Sequence, residues 1–465
     1  MGDASIDLGH ARQHAIDALL KILHDEPSIE KAVLGQDLFG LLRVILWLGS
    51  GADETGIRSR ITQALGPCGR FWEGEIWVSN EETSFADNRV YSAAWEEGFE
   101  VPGIHEDGHD VPLTDRLRID DRTRTRTAWL PRFREPVWTP RHGWNEGKST
   151  DEEATVGPPV VVFYSFKGGV GRTTALAAMA IQLARMGERV FVVDVDLDAP
   201  GAGTLLSPDE GGVTRGLVDY LLDAQLGDVD INDYVHRIRR EKLVGDEGGE
   251  VIVMPAGSVD EHYLMKLARL DLEIRGTHHP LEHVLHAARA KLEPDWILID
   301  SRAGLSPAAG LLLDGIAHLH VLFATSSAQS QLGIAQVIRS LGAERIRRDY
   351  EQANVIVVHA MLVDIADVEK LARPQFHAWL DEVLEAQYWV TKESDPEDSY
   401  WNTGDDGKQD APGDAIEIPY RYRFAFFSSV DDVVLDLLEG PYKALGRRVL
   451  MQFAAAEAVD GSERG

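Results

Sequence analysis

Ten consecutive residues, Ser165-Phe166-Lys167-Gly168-Gly169-Val170-Gly171-Arg172-Thr173-Thr174, carry the densest chemistry in the chain. Their glycines let a backbone fold around an anion with its amide hydrogens turned inward, and the Thr173 hydroxyl can ligate a magnesium ion bridging phosphates. The segment follows an apolar run, Val160 to Tyr164, suited to a central parallel strand, and precedes a helix predicted over 173–186. A helix starting near Thr173 adds partial positive charge at its N-terminus. Strand, glycines, cations, hydroxyls and helix in this register predict a phosphate-binding loop rather than a ligand-free glycine turn. Arg172 stands where such loops normally hold lysine. Arginine keeps the charge and can fork onto two phosphate oxygens, but it is bulkier and planar.

Two other segments end predicted strands in acids. Asp194-Val195-Asp196-Leu197-Asp198-Ala199-Pro200-Gly201 follows the run Val190–Val193, and strand alternation puts Asp194 and Asp196 on one face. Asp198 is expected only to cap or solvate its loop. Asp300-Ser301-Arg302-Ala303-Gly304-Leu305-Ser306 follows Trp296–Ile299. There Asp300 can hold a magnesium-bound water, and the Gly304 amide can sense a γ-phosphate.

With these three motifs in order, residues 159 to about 456 resemble the ParA/MinD ATPases, P-loop proteins of the deviant Walker A kind within the SIMIBI class. Within them the chain is similar to a bacterial subgroup whose loop reads KGGVGR, followed by DxDLxAPG and DSRxGLS. The resemblance implies ATP and Mg2+ as cofactors and slow hydrolysis. It implies phosphate contacts from Gly168, Gly169, Val170, Gly171, Arg172, Thr173, Thr174 and Gly304, and metal contacts from Thr173, Asp194 and Asp300. Asp196 would orient the attacking water and Arg172 would share in catalysis. Lys167, at the mouth of the loop, would reach the partner's phosphates across an ATP-dependent homodimer. An asparagine commonly follows the family's strand equivalent to Val355–Val358 and reads the base; here His359 takes that place, and Pro419-Tyr420 resembles the late loop near the base. Members of the subgroup look like regulatory modules beside effectors of bacterial conflict systems, which implies a nucleotide switch acting on a protein partner, in antiviral defence or signalling. Three other readings stand beside it. A bacterial tyrosine kinase shares the fold, but residues 451–465 contain no tyrosine. A DNA- or membrane-positioning ATPase is the second, and a nucleotide-bound scaffold that never turns over, left open by Arg172, is the third.

The elements around these motifs predict an α/β fold, a mostly parallel sheet with helices on both faces. Further strands are expected at Val251–Met254, His320–Phe323, Val355–Val358 and Ile416–Ile418, with helices over roughly 279–291, 329–342, 366–387 and 441–456. An acidic loop without periodicity fills 388–414. A segment over 143–158, rich in Gly, Ser, Thr and acids and ending in Gly157-Pro158, reads as a linker. It separates this domain, 159–457, from a helix-rich α+β domain over 1–142; residues 458–465 read as a disordered tail. In the first domain helices are expected over 8–24, 28–48 and 52–65, then short aromatic segments such as Phe71-Trp72 and Ile76-Trp77-Val78.

Composition narrows the partners. Acids outnumber bases 77 to 46, a net charge of -31, which argues against broad nonspecific nucleic-acid binding because phosphate backbones are met by lysine and arginine. The single cysteine, Cys68, excludes an intramolecular disulfide framework. No cationic segment leads into an apolar one at the N-terminus, and the apolar stretch Phe39–Leu48 is too short to span a bilayer; a cytoplasmic protein with no integral membrane segment is expected. His105 and His109 have the i, i+4 spacing of a metal pair, but neighbouring glycines and Pro112 disfavour a helix. Arg122, Arg124 and Arg126 alternate beside Asp120 and Asp121, as on a solvated strand. The C-terminal helix carries Leu445, Val449, Leu450 and Phe453 on one side, a face for packing on the sheet rather than for an anionic membrane, which the acids of the tail oppose.

Overall fold

The computed structural model describes residues 6–37, 40–79, 83–100, 102–104, 110–112, 114–121, 138–140, 156–206, 215–270, 272, 280–306, 309–310, 312, 316–347, 354–363, 366–389, 411–426 and 429–453. The chain divides into two compact units, Met1–Arg126 and Thr127–Gly465. The division comes before the expected domain end at 142, and Trp138 lies in the second unit. Its ring is 3% exposed in the core of the second unit, and its indole Nε1 donates to the Pro158 carbonyl at 2.7 Å. A buried indole with its N–H satisfied is an anchor. Beside it Thr139–Pro140 pairs in parallel with Val156–Gly157, so the end of the expected linker is ordered into the second unit.

The first unit runs α1 (Leu8–Asp25), β1 (Ile29–Gln36), β2 (Leu42–Leu48), α2 (Glu54–Leu65), β3 (Trp72–Ser79), α3 (Phe85–Glu97), β4 (Phe99–Glu100) and β5 (Leu117–Asp121). Its sheet has the order β3-β2-β1-β5-β4. The helix predicted over 28–48 is instead the antiparallel pair β1 and β2. Ala32-Val33-Leu34 and Val44-Ile45-Leu46 are buried throughout, because α1 and α2 pack on one face and Ala94 of α3 on the other. A run buried on both faces meets helical spacing only by being continuous, and Val33, Val44 and Ile45 are β-branched. The expected pairs and alternations at His105, His109, Arg122, Arg124 and Arg126 lie outside the described residues.

The second unit runs β6 (Val160–Ser165), α4 (Arg172–Arg185), β7 (Arg189–Asp194), α5 (Ala202–Leu206), α6 (Leu217–Ala224), β8 (His236–Ile238), β9 (Glu250–Met254), α7 (Pro280–Lys291), β10 (Trp296–Asp300), β11 (Leu319–Ala324), α8 (Ala328–Arg347), β12 (Asn354–Leu362), α9 (Ala366–Gln387), β13 (Ile416–Pro419) and α10 (Gly440–Met451). The strand order is β8-β9-β7-β10-β6-β11-β12-β13, with β8 alone antiparallel to its neighbour. Two hydrophobic clusters cover the two faces, which is the mostly parallel, doubly covered sheet the alternation predicts. Leu445 and Val449 of α10, with Phe453 just beyond it, are buried in one of these clusters, so this apolar side packs on the protein. Among the described residues no helix is long and apolar enough to cross a membrane. Most of the acidic 388–414 stretch and the 458–465 tail lie outside the described residues.

Candidate nucleotide-binding site

Strand β6 is central, between β10 and β11, and delivers Ser165 to the start of the glycine loop. Gly169 and Gly171 adopt φ of 72° and 83°, the left-handed region that side chains disfavour. A Cβ at Gly168, Gly169 or Gly171 would meet nothing within 4 Å. The loop therefore encloses open space, and Gly171 caps α4 without a side-chain acceptor, leaving that helix end free for an external anion. A cavity of about 400 Å³ opens here. Its polar end is lined by Ser165, Gly168–Thr174 and Asp196, and its other end by Met361, Ile418, Pro419, Tyr420, Phe424 and Tyr442. The Ser165 hydroxyl is buried there without a hydrogen-bond partner among the described residues.

Register brings the acids together. β7 and β10 are paired so that Asp194 faces Asp300, and β10 pairs with β6 at Phe163. Both carboxylates are fully buried, and Asp196 is 7% exposed. Arg172 reaches back from the first turn of α4: its Nε donates to Asp300 Oδ1 at 2.6 Å and an Nη to Asp196 Oδ2 at 2.9 Å. The Thr173 hydroxyl donates to Asp300 Oδ2 at 2.7 Å. Burial by itself would lower the Arg172 pKa, but Asp300 and Asp196 raise it and keep the guanidinium charged. Burial raises the Asp300 pKa against the pull of Arg172 and Thr173. Burial also lifts Asp194, to about 7, with Asp300 adding to the rise. Two buried carboxylates side by side resist ionising together.

Several expected roles meet different geometry. Asp194, expected near the metal, accepts the backbone N–H of Gly201 and Ala202 on Oδ2 at 3.0 Å each, and that of Asp196 on Oδ1 at 3.1 Å. Its contacts are those of a residue that pins the turn into α5. His359, expected to read the base, is absent from the cavity lining. Strand alternation turns it to the opposite face of β12, where it lies 3.8 Å from the parallel Phe376 ring and shares a 2.8 Å hydrogen bond with Ser326. Burial, with His377 and Arg373 adding to it, lowers its pKa to about 4. Met361 faces the cavity in its stead. It has φ 60° and sits where the β12–β13 register slips between Ala360 and Leu362, a bulge that reorients one side chain. The Gly304 amide donates to the Ser165 carbonyl at 3.2 Å, so its hydrogen is engaged in this state. Lys167 lies outside the cavity lining, its ammonium 3.5 Å from the Ser327 hydroxyl. Tyr420 lines the cavity as the late loop suggested, joined by Arg421, Phe424 and Tyr442, which no motif marked. Two more unmarked residues steady the acidic segments: Arg302 pairs with Asp198, and Tyr263 donates to the Leu197 carbonyl at 2.9 Å.

A glycine loop between a central parallel strand and a helix, with acids at the ends of neighbouring strands, defines a P-loop nucleotide-binding domain. Residues 161–371 match the family described as the CobQ/CobB/MinD/ParA nucleotide binding domain, and the second unit has a ParA/MinD-like P-loop fold. The chain is similar to an uncharacterised ATP-binding protein of Methanocaldococcus jannaschii, 28% identical over 188 residues, 40% of this chain and 61% of the relative. It is also similar to the septum site-determining protein MinD of Buchnera aphidicola, 26% identical over 154 residues, 33% of this chain and 48% of that one. The chain thus spans roughly half to six tenths of the length of these relatives. Among solved structures, the MinD cell division protein of Aquifex aeolicus aligns with a TM-score of 0.40 at 17% identity, over 63% of this chain and 97% of that one.

Proposed function

We propose that the second unit binds ATP with Mg2+, hydrolyses it slowly, and works as a switch: the ATP-bound form dimerises and acts on a protein partner, in bacterial defence or signalling. The observation that carries this reading is the cavity that the open glycine loop shares with Tyr420, Arg421, Phe424 and Tyr442, with the carboxylates of Asp196 and Asp300 bonded to Arg172 beside the loop. A triphosphate fits the loop because the glycines leave room for it, and the buried Ser165 hydroxyl lacks a partner among the described residues. A divalent cation fits because, among the described residues, Asp196 and Asp300 share a single guanidinium, and buried negative charge calls for a counter-ion. Among the described residues no three His, Cys, Asp or Glu are grouped to cage a metal, but magnesium in such sites takes most of its ligands from phosphate and water. Thr173 and Asp300 would hold it, and when bound it neutralises charge developing on the transferred phosphoryl group. Asp196 would position the attacking water. Loop amides and Arg172 would orient the phosphates, and the aromatic end would hold the base out of water.

The test is isothermal titration of the full chain with ATP, with and without magnesium, for the native protein and Thr173→Ala. Magnesium should tighten binding in the native protein and do little in the variant. Equal native affinity with and without magnesium would remove the phosphate-loop assignment. Turnover should be on the order of one per minute or less, as for P-loop sites without an arginine finger. A second reading, a nucleotide-bound scaffold, is favoured by the 2.9 Å contact that holds Asp196 on Arg172; bound ATP recovered intact after hours would select it.

A further inference from the structure

We propose that Arg172 is a built-in counter-ion that occupies the cation position of the nucleotide-free site, and that triphosphate and magnesium displace it together; this rests on the nucleotide-binding reading above. Both oxygens of Asp300 are already engaged, one by the Arg172 Nε at 2.6 Å and the other by the Thr173 hydroxyl at 2.7 Å. Asp196 Oδ2 accepts from a terminal Nη of the same guanidinium at 2.9 Å. The Arg172 side chain is 8% exposed, so these contacts are made almost out of water.

The geometry accounts for arginine where phosphate loops normally hold lysine. An ammonium is a compact point charge, whereas the planar guanidinium presents donors along two edges. It therefore spans carboxylates carried by two neighbouring strands, β10 and the segment leaving β7. Arg172 also lines the cavity, so a triphosphate there would compete with the carboxylates for the same donors. Drawing the guanidinium away would leave Asp196 and Asp300 buried without counter-charge, which is strongly unfavourable. The exchange is favourable only when a divalent cation takes the vacated place, and the cation is kept out until phosphate draws the guanidinium off. Asp196 Oδ1 also accepts the Ala199 N–H at 3.2 Å, and Asp198 pairs with Arg302. One side-chain movement thus removes a tie shared by the 194–203 and 300–306 segments, leaving the Asp198–Arg302 pair between them.

The experiment uses Mn2+ as a paramagnetic probe on the full chain without nucleotide. Native protein, Arg172→Gln and Arg172→Lys are titrated by electron paramagnetic resonance, and their melting curves are recorded with and without Mn2+. The native protein should take up little Mn2+ and melt at an unchanged temperature. Arg172→Gln should bind Mn2+ at least tenfold more tightly and melt higher in its presence, and Arg172→Lys, able to hold one carboxylate, should fall between. If Arg172→Gln does not fold, Arg172→Lys carries the comparison. Native protein binding Mn2+ as tightly as the variants would overturn the proposal. In parallel, ATP titration of the native protein keeps the two readings apart: its failure counts against the nucleotide site, whereas unchanged Mn2+ affinity in the variants with ATP binding intact counts against Arg172 alone.

Discussion

At Gly168 the fold asks for nothing and the ligand asks for everything. Its backbone lies outside the left-handed set, and a Cβ there would point into open space. Gly168→Ala should therefore keep its stability within about 0.5 kcal/mol yet weaken ATP binding at least tenfold, as read by urea unfolding and nucleotide titration on the same preparation. Asp196→Ala should bind ATP and lose most hydrolysis, whereas Asp300→Ala should lose both and about 3–5 kcal/mol of stability by leaving Arg172 short of a buried partner. Equal binding loss in the two would contradict that division of labour. His359 makes the opposite case. Its folded pKa, about 4, lies below its ordinary 6.5, so the unfolded chain takes the proton first. The stability His359 contributes is complete above pH 6.5 and falls by about 3 kcal/mol as pH drops towards 4. His359→Leu should flatten that acid limb in urea midpoints and leave ATP affinity unchanged. The glycine loop and the acids at the strand ends were legible from residue type and spacing. The turning of His359 away from the cavity was not, since a strand's face there depends on a bulge that no residue at 360–362 announces.

At the scale of elements, helix α8 fixes the loop from beneath. A Cβ at Gly333 would overlap the ring of Phe166, the second residue of the loop. Gly333→Ala should cost about 1–3 kcal/mol through overpacking and weaken nucleotide binding as Phe166 moves, although residue 333 is absent from the cavity lining; unchanged ATP affinity would uncouple helix from loop. The alternation of strand and helix after residue 159 was readable because fully buried parallel strands are short, apolar and separated by amphipathic helices. The β1–β2 pair was not, because burial on both faces erases the period-two pattern that distinguishes a strand from a helix. Trp138, inside a polar stretch, is a buried anchor of the second unit that composition did not mark.

For the whole molecule, charge sets the terms of assembly. At -31 two copies repel, so an ATP-dependent dimer should tighten as salt rises and the screening length shortens to about 8–10 Å. Lys167 stands outside the lining of the glycine-loop cavity and is half-buried beside Ser327, with Leu305 and Leu332 exposed at 48% and 76% on the segments that follow β10 and β11. In light scattering with ATP, Asp196→Ala should accumulate dimer and Lys167→Ala should stay monomeric. A dimer indifferent to nucleotide and to Lys167→Ala would sink the switch.

The placement of β6 also governs when the site can come into being. Its hydrogen-bonding neighbours are β10, ending at Asp300, and β11, ending at Ala324. During synthesis the glycine loop leaves the ribosome long before either strand exists, and the wholly apolar Val160–Tyr164 run has no partner to cover it. Parallel pairings this distant in sequence form slowly, and the exposed run is open to association meanwhile. A ribosome stalled shortly after residue 250 should therefore present a chain that binds chaperones and ignores ATP, and competence should appear only once β11 and the later cavity-lining residues through Tyr442 have emerged.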